Sequence, residues 1–183
     1  MPDMNPQGNV FLIGPMGAGK TTIGRHLATL LGKRFVDVDH EIEKRTGVAI
    51  PVIFEIESEA GFRRRESAVI DELTRDRDIV LATGGGAVLM EENRRALKER
   101  GTVVYLQADV ETLVERTRRD RNRPLLQTEN PRGKIEELLR QREPIYREVA
   151  DVVVDTGQRA PSSVARDIAM RLKTLSNDEN PER

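Results

Sequence analysis

Between Gly14 and Thr22 the chain reads Gly-Pro-Met-Gly-Ala-Gly-Lys-Thr-Thr, which fits G-x-x-x-x-G-K-[ST] at every fixed position. Such a loop has one credible setting: a strand must feed it and a helix must leave it. Both flanks meet that demand. Asn9–Ile13 is a short apolar run of the kind buried in a sheet, and Ile23, Leu27, Leu30 and Leu31 recur at helical spacing before Gly32, a residue suited to end the helix. The chemistry follows from backbone geometry. The N–H groups of the turn and the positive end of the helix face an anion, Lys20 would reach the β- and γ-phosphates of a nucleoside triphosphate, and the Thr21 hydroxyl would ligate Mg²⁺. Every fixed position and both flanks are present, which weighs against a glycine-rich turn without a ligand.

The length of 183 residues suits a single α/β domain with a real core. Thirty basic residues face 31 acidic ones, and this balance gives no hint of a nucleic-acid or membrane-surface binder. The absence of Cys removes disulfides, thiolate metal sites and cysteine nucleophiles together. No apolar stretch approaches the roughly 20 residues that span a bilayer. The stretch Met1–Gly8 lacks the basic-then-apolar pattern of a signal peptide. The expectation is a soluble cytoplasmic protein. Of the 30 basic residues 24 are Arg, the better fork for phosphates and carboxylates, although Arg also serves ordinary helix surfaces.

Five apolar runs read as strands buried on both faces: Val10–Ile13, Phe35–Val38, Ile79–Ala82, Val103–Leu106 and Val152–Val154. Helical patterns lie between them, at Glu41–Arg45, about Ser58 to Arg75, Glu91–Arg100 and Val110–Arg118. Asn130-Pro131 and Pro161 open two more. The alternation predicts a parallel sheet with helices on both sides, in one domain over residues 1–183. Tails at about 1–8 and 176–183 are expected to be frayed.

Asp37-Val38-Asp39 follows the second strand run, where ligands sit in an open α/β sheet. Strand alternation would send both carboxylates towards the phosphate loop. One could hold Mg²⁺ through water, and the other could accept a proton from, or orient, an attacking hydroxyl. Asp39 could equally cap a helix beginning at His40. Arg63 and Glu66, three apart near a helix start, can pair, and an Arg anchored so makes a rigid fork for a carboxylate. Arg64 and Arg65 read as a solvated face. Thr83-Gly84-Gly85-Gly86 would let a ligand approach the backbone, a flexible connector being the alternative. Five Arg within Arg116–Arg123 suit a lid that brings cations onto a triphosphate and excludes water; a nucleic-acid patch is disfavoured by the neutral charge and the few aromatics. Arg142 and the pair Gln158-Arg159 complete the candidates. His26 and His40 have no companion at metal spacing.

In order along the chain, GPMGAGKTTIGR (14–25), FVDVDHEIEKRTG (35–47), IFEIESEAGFRRRE (53–66), LATGGGAV (81–88), NRPLL (122–126) and REPIYREVAD (142–151) resemble the shikimate kinase family, from about Asn9 to Leu175. That resemblance implies a P-loop three-layer α/β/α sandwich, with a five-stranded parallel sheet of order 2-3-1-4-5, a helical substrate-binding region and a lid at about 116–131. The implied reaction moves the γ-phosphoryl of ATP to the 3-hydroxyl of shikimate, a step of chorismate and aromatic amino acid biosynthesis. Matched by position, Gly17, Ala18, Gly19, Lys20, Thr21 and Thr22 bind the phosphates of ATP, and Thr21 ligates Mg²⁺ with Asp37 assisting through water. Asp39 holds the substrate hydroxyls and serves as base. Arg63 and Arg142 clamp the shikimate carboxylate, and Gly84, Gly85 and Gly86 line its site. Arg123 binds the triphosphate and stabilises transferring charge, so that Lys20, Asp39 and Arg123 form the catalytic set. Arg116 and Arg159 lie near the adenine, a place Gln158 could fill instead of Arg159. Pro51 is expected in a first helical turn. A site built on Arg forks and one Asp has little need of apolar or aromatic lining.

Two other readings remain. Gluconate also offers a carboxylate and hydroxyls, so Arg63 and Arg142 alone do not exclude a gluconate kinase; Asp37-x-Asp39 with the three glycines tilts the choice. A P-loop switch protein would carry a guanine-reading Asn-Lys-x-Asp, which the sequence lacks. The partner expected is a small molecule, with no nucleic acid and no membrane, bound by a monomer.

Overall fold

The strand that feeds the phosphate loop is apolar along its whole length, and this decides the architecture. In the computed structural model, which describes residues 8–179, β1 (Asn9–Ile13) is buried at every position in the middle of a five-stranded sheet. It pairs with β3 (Ile79–Ala82) on one side and β4 (Gly101–Gln107) on the other, placing Phe11 level with Leu81 and Val103. β2 (Arg34–Asp37) and β5 (Val152–Asp155) form the edges. Every pairing is parallel and the order is β2-β3-β1-β4-β5, as the resemblance implied.

Alternation along β1 feeds two separate cores. Val10 and Leu12 pack with Ile23 and Leu27 of α1 (Lys20–Leu31) and with Ile168 and Leu172 of α7 (Pro161–Asp178). Phe11 and Ile13 face Ile70 of α3 (Ile50–Leu73), Leu97 of α4 (Glu91–Arg100) and Tyr146 of α6 (Pro131–Val149). Each such side chain stabilises the fold by about 1.5–3 kcal/mol relative to exposure. Two shorter helices complete the layers, α2 (Val38–Thr46) and α5 (Val110–Thr117). Helix starts follow capping chemistry: Asp109 accepts from the Thr112 N–H and Asn130 from the Gly133 N–H. Pro51 sits in the first turn of α3, where its missing N–H costs nothing.

Two expectations change, at Val38 and at the C-terminal tail. Val38 does not extend the second strand: Asp37 ends β2 and its carboxylate accepts from the His40 N–H, so Asp37 is the helix cap and Asp39 lies in the first turn. The helix expected from about Ser58 is present, and Ser58, with φ 65° and ψ 177°, marks the break between it and the turns that begin at Ile50 with Pro51 in the first. At the C-terminus α7 runs on through Asp178, beyond the start of the expected frayed tail at Ser176. The remainder of the two tails, 1–7 and 180–183, lies outside the described residues.

Candidate active site

Because all strands run the same way, the ends of β1, β2 and β3 open on one edge of the sheet. A cleft of about 880 Å³ lies there, lined by Gly17, Gly19, Lys20, Thr21, Thr22, Asp37, Asp39, Arg116, Arg123 and Arg159, all named from the sequence. Gly19 caps α1 with φ 95°, a conformation natural to glycine, which aims the first turn of the helix at the cleft. Ala18 is the exception among the loop residues: its side chain is buried in the core below. His26 and His40 are both exposed.

Lys20 is buried, and its ammonium donates to the carbonyls of Gly14 (2.6 Å) and Pro15 (2.9 Å). Burial, aided by the Arg123 charge and opposed by Asp39 and Asp37, lowers its pKa to about 7. An anionic phosphate would draw it back up. The Thr21 hydroxyl donates to the Asp37 carboxylate at 2.6 Å, so the hydroxyl and carboxylate expected at a magnesium site already converge. Among the described residues no three His, Asp or Glu side chains gather as a self-sufficient metal cage. This donor pair fits a cation that keeps its waters and takes further oxygens from phosphate.

Arg116 braces the cleft. Its guanidinium donates to the carbonyls of Gly17 and Ala18 (both 3.2 Å), to the Thr156 hydroxyl (3.2 Å) and to the Gly157 carbonyl (3.0 Å). Arg159 is tied to the Asp155 carbonyl (3.2 Å) and to Asp167 (3.1 Å). Gln158 is exposed and does not line the cleft.

A second, smaller cavity of about 60 Å³ adjoins the first, and Asp39 and Arg123 line both. Arg63, Gly84, Gly85, Gly86 and Arg142 line its walls. The Arg63 guanidinium donates to Glu66 (2.9 Å) and Glu59 (3.2 Å), the anchoring that the i,i+3 spacing suggested, while Arg64 and Arg65 are exposed. Arg142 is buried and makes no ion pair among the described residues. The three glycines are a close approach rather than a loose connector: a Cβ on Gly86 would stand 2.3 Å from an Arg63 nitrogen, and one on Gly84 2.7 Å from Glu66 Oε2.

Asp39 holds the junction of the chambers. Its Oδ1 is buried without a hydrogen-bond partner, and burial together with the Asp37 charge raises its pKa to about 6 against the pull of Arg123, Lys20 and Arg63. Glu66 is fully buried and is raised to about 7, by burial above all, with Arg63 opposing. Between α5 and α6, Arg123 donates to Asp120 at 2.8 Å. Between α5 and α6 the chain is irregular apart from a single 3₁₀ turn, Pro124–Leu126, whose Leu126 is buried in the core.

This second cavity is less polar than the sequence suggested. Ile50, Phe54, Phe62, Met16 and Leu125 contribute to its lining, and the rings of Phe54 and Phe62 lie 4.9 Å apart. These walls went unnoticed in the sequence because the two Phe flank the break at Ser58, which disguises their common face. Their signal was available: half of the chain's four Phe fall within nine residues of each other.

A family model described as shikimate kinase matches residues 16–173. The chain belongs to the shikimate kinase family. A shikimate kinase of Methylococcus capsulatus is 64% identical over 165 residues, covering 90% of this chain and 92% of that protein. The solved structure of a shikimate kinase from Acinetobacter baumannii in complex with shikimate superposes with a TM-score of 0.92 at 53% identity, covering 94% of this chain and 96% of that one. A gluconokinase from Sinorhizobium meliloti shares the fold alone, with a TM-score of 0.61 at 19% identity over 95% and 96% of the two chains. As a member of the shikimate kinase family, the chain is an ATP-dependent phosphotransferase. No described helix is long and apolar enough to cross a membrane.

Proposed function

We propose that this enzyme transfers the γ-phosphoryl of ATP to the 3-hydroxyl of shikimate, yielding shikimate 3-phosphate and ADP. The observation that carries the reading is Asp39, whose Oδ1 is buried without a hydrogen-bond partner, standing where a triphosphate cleft meets a cavity walled by two Arg side chains. Arg63 and Arg142 hold the acceptor carboxylate, and Asp39 accepts a hydrogen bond from the acceptor hydroxyl. That oxygen bonds to the γ-phosphorus as the bond to the ADP oxygen breaks, and the hydroxyl proton passes to Asp39, which is ionised at neutral pH. Lys20 and Arg123 bear the charge that develops on the transferring group. Thr21 directly, and Asp37 through water, would hold Mg²⁺, which supplies further neutralisation of the phosphates. Arg116 and Arg159 flank the adenine. Residues 116–131 act as the lid of a single domain. The enzyme acts as a monomer, and ATP as donor supports action in the cytoplasm.

A coupled ADP-release assay with shikimate, with gluconate and with no acceptor tests the assignment. ADP release that requires shikimate is expected; turnover with gluconate alone would overturn it. Asp39→Asn should retain ATP binding and lose at least about a hundredfold in kcat, the usual worth of a positioned proton acceptor. Wild-type turnover in that variant would remove Asp39 from the chemistry.

A further inference from the structure

Helix α6 reaches the glycine triplet at two places, and only Arg142 was expected there. One turn on, Tyr146 is fully buried, its ring stacks on Tyr105 at 5.0 Å, and its hydroxyl donates to the Gly85 carbonyl. Arg142 stands against the same glycine, with a guanidinium nitrogen 3.6 Å from the point a Cβ on Gly85 would occupy. We infer that Tyr146 is a positioning residue for the acceptor, fixing the Gly85–Gly86 peptide that lines the acceptor cavity. The inference rests on the acceptor site proposed above.

The physical argument starts from the freedom of three consecutive glycines. Without side chains they have no packing of their own to choose one conformation, and they lose more backbone freedom on ordering than other residues. Two of them have no room for a side chain, which would meet Glu66 at Gly84 and Arg63 at Gly86. Backbone bonds from Ala87 to the Gly84 carbonyl (3.1 Å) and from Leu89 to the Gly86 carbonyl (3.1 Å) fix the outer two. The Gly85 carbonyl lies between them and takes its bond from Tyr146. The peptide is trans, so fixing that carbonyl also fixes the direction of the Gly86 N–H on its far side. Burial raises the Tyr146 phenol above its ordinary range, so the donor stays protonated at any working pH. The contrast with Tyr105 is informative. Its hydroxyl is buried with no partner, so ring packing alone accounts for that tyrosine but leaves the Tyr146 hydroxyl with a task on the glycine loop.

The test is Tyr146→Phe, which keeps the ring stack and deletes one oxygen, with Tyr105→Phe as the control that deletes an unpartnered one. KM for shikimate and for ATP, kcat and Tm are measured on the same preparations. Loss of one hydrogen bond to the loop should raise the shikimate KM about three- to tenfold. The ATP KM should stay within about twofold and the control within about twofold on both. A merely structural hydroxyl would move both KM values together as Tm fell, and that result overturns the inference. So does an unchanged shikimate KM in Tyr146→Phe. If the wild-type enzyme fails to turn over shikimate at all, the acceptor assignment itself falls, an outcome distinct from either.

Discussion

Ser58 offers the sharpest check on how this fold holds its acceptor wall. Its backbone, at φ 65° and ψ 177°, occupies a region that is nearly the preserve of glycine, while its side chain is exposed and makes no hydrogen bond. The break persists because its flanks are tied down: Glu57 accepts two bonds from Arg65, at 2.7 and 2.6 Å, and Glu59 one from Arg63. Holding a non-glycine residue there costs about 1–3 kcal/mol. Glycine would relieve that strain but add about 0.5–1 kcal/mol of unfolded-state freedom. Ser58→Gly should therefore stabilise by ~1 kcal/mol, and at this chain length raise Tm by about 2–4 °C. Ser58→Ala, which keeps the Cβ and hence the strain, should leave Tm within about a degree, because the hydroxyl it removes does nothing. Both are read by thermal unfolding on the ligand-free protein. A lower Tm in Ser58→Gly would show that the chain is not strained there and would refute the reasoning; a gain in Ser58→Ala equal to that of glycine would assign the effect to the hydroxyl instead.

Two further outcomes follow from the charges around the acceptor. Arg63→Ala removes a guanidinium from the proposed carboxylate clamp, so the shikimate KM should rise about 10- to 100-fold with the ATP KM little changed; an unchanged shikimate KM would remove Arg63 from the clamp. Asp39 has a native pKa of about 6 against an ordinary 3.8, so between those values the native state keeps a proton that the unfolded chain has released, and stability falls as pH rises through the window. Asp39→Asn should therefore be the more stable protein above pH 6, by about 1–3 kcal/mol, with the gap closing towards pH 4; a gap that is independent of pH would contradict it.

What could be read from the sequence was local, and what could not was tertiary. The phosphate loop is legible because its strand, glycines, lysine and helix are contiguous, and the pairing of Arg63 with Glu66 because three residues make one helical turn. Asp37 and Asp39 reach the cleft as expected, but for a different reason. Strand alternation has nothing to do with it: Asp37 ends the strand by capping α2, and the cap turns Asp39 inward. A short strand and a cap have the same residues at this point, and only the hydrogen bond to His40 decides between them. A helix was expected to start at about Ser58, but the sharp break there was not, because serine is not a residue that announces a positive φ. With the break unseen, Phe54 and Phe62 could not be placed on one wall. The segment between α5 and α6 showed as a run of Arg, whereas its anchoring by Leu126 depends on a core that no local pattern reveals. Tyr146 was invisible for the same reason, since its partner lies 61 residues away.

The distribution of unsatisfied groups ties these parts together. Among the described residues five buried side-chain polar atoms lack a partner, and three of them, on Asp39, Arg63 and Glu66, belong to residues lining the one small cavity. Left unmade, each such bond costs of the order of 1–3 kcal/mol, so a fold selected for stability alone would not gather them. Nor would it gather a buried guanidinium and two acids of raised pKa beside glycines that leave no room for a side chain. The arrangement becomes reasonable once a polyhydroxy acid enters, because its hydroxyls donate to the free carboxylate oxygens and its carboxylate meets the free guanidinium edge. On the proposed assignment, the residues that destabilise the empty protein are those that bind the acceptor. It follows that stabilisation by shikimate should be larger in the wild type than in Asp39→Asn, since the variant has already relieved part of what the ligand relieves.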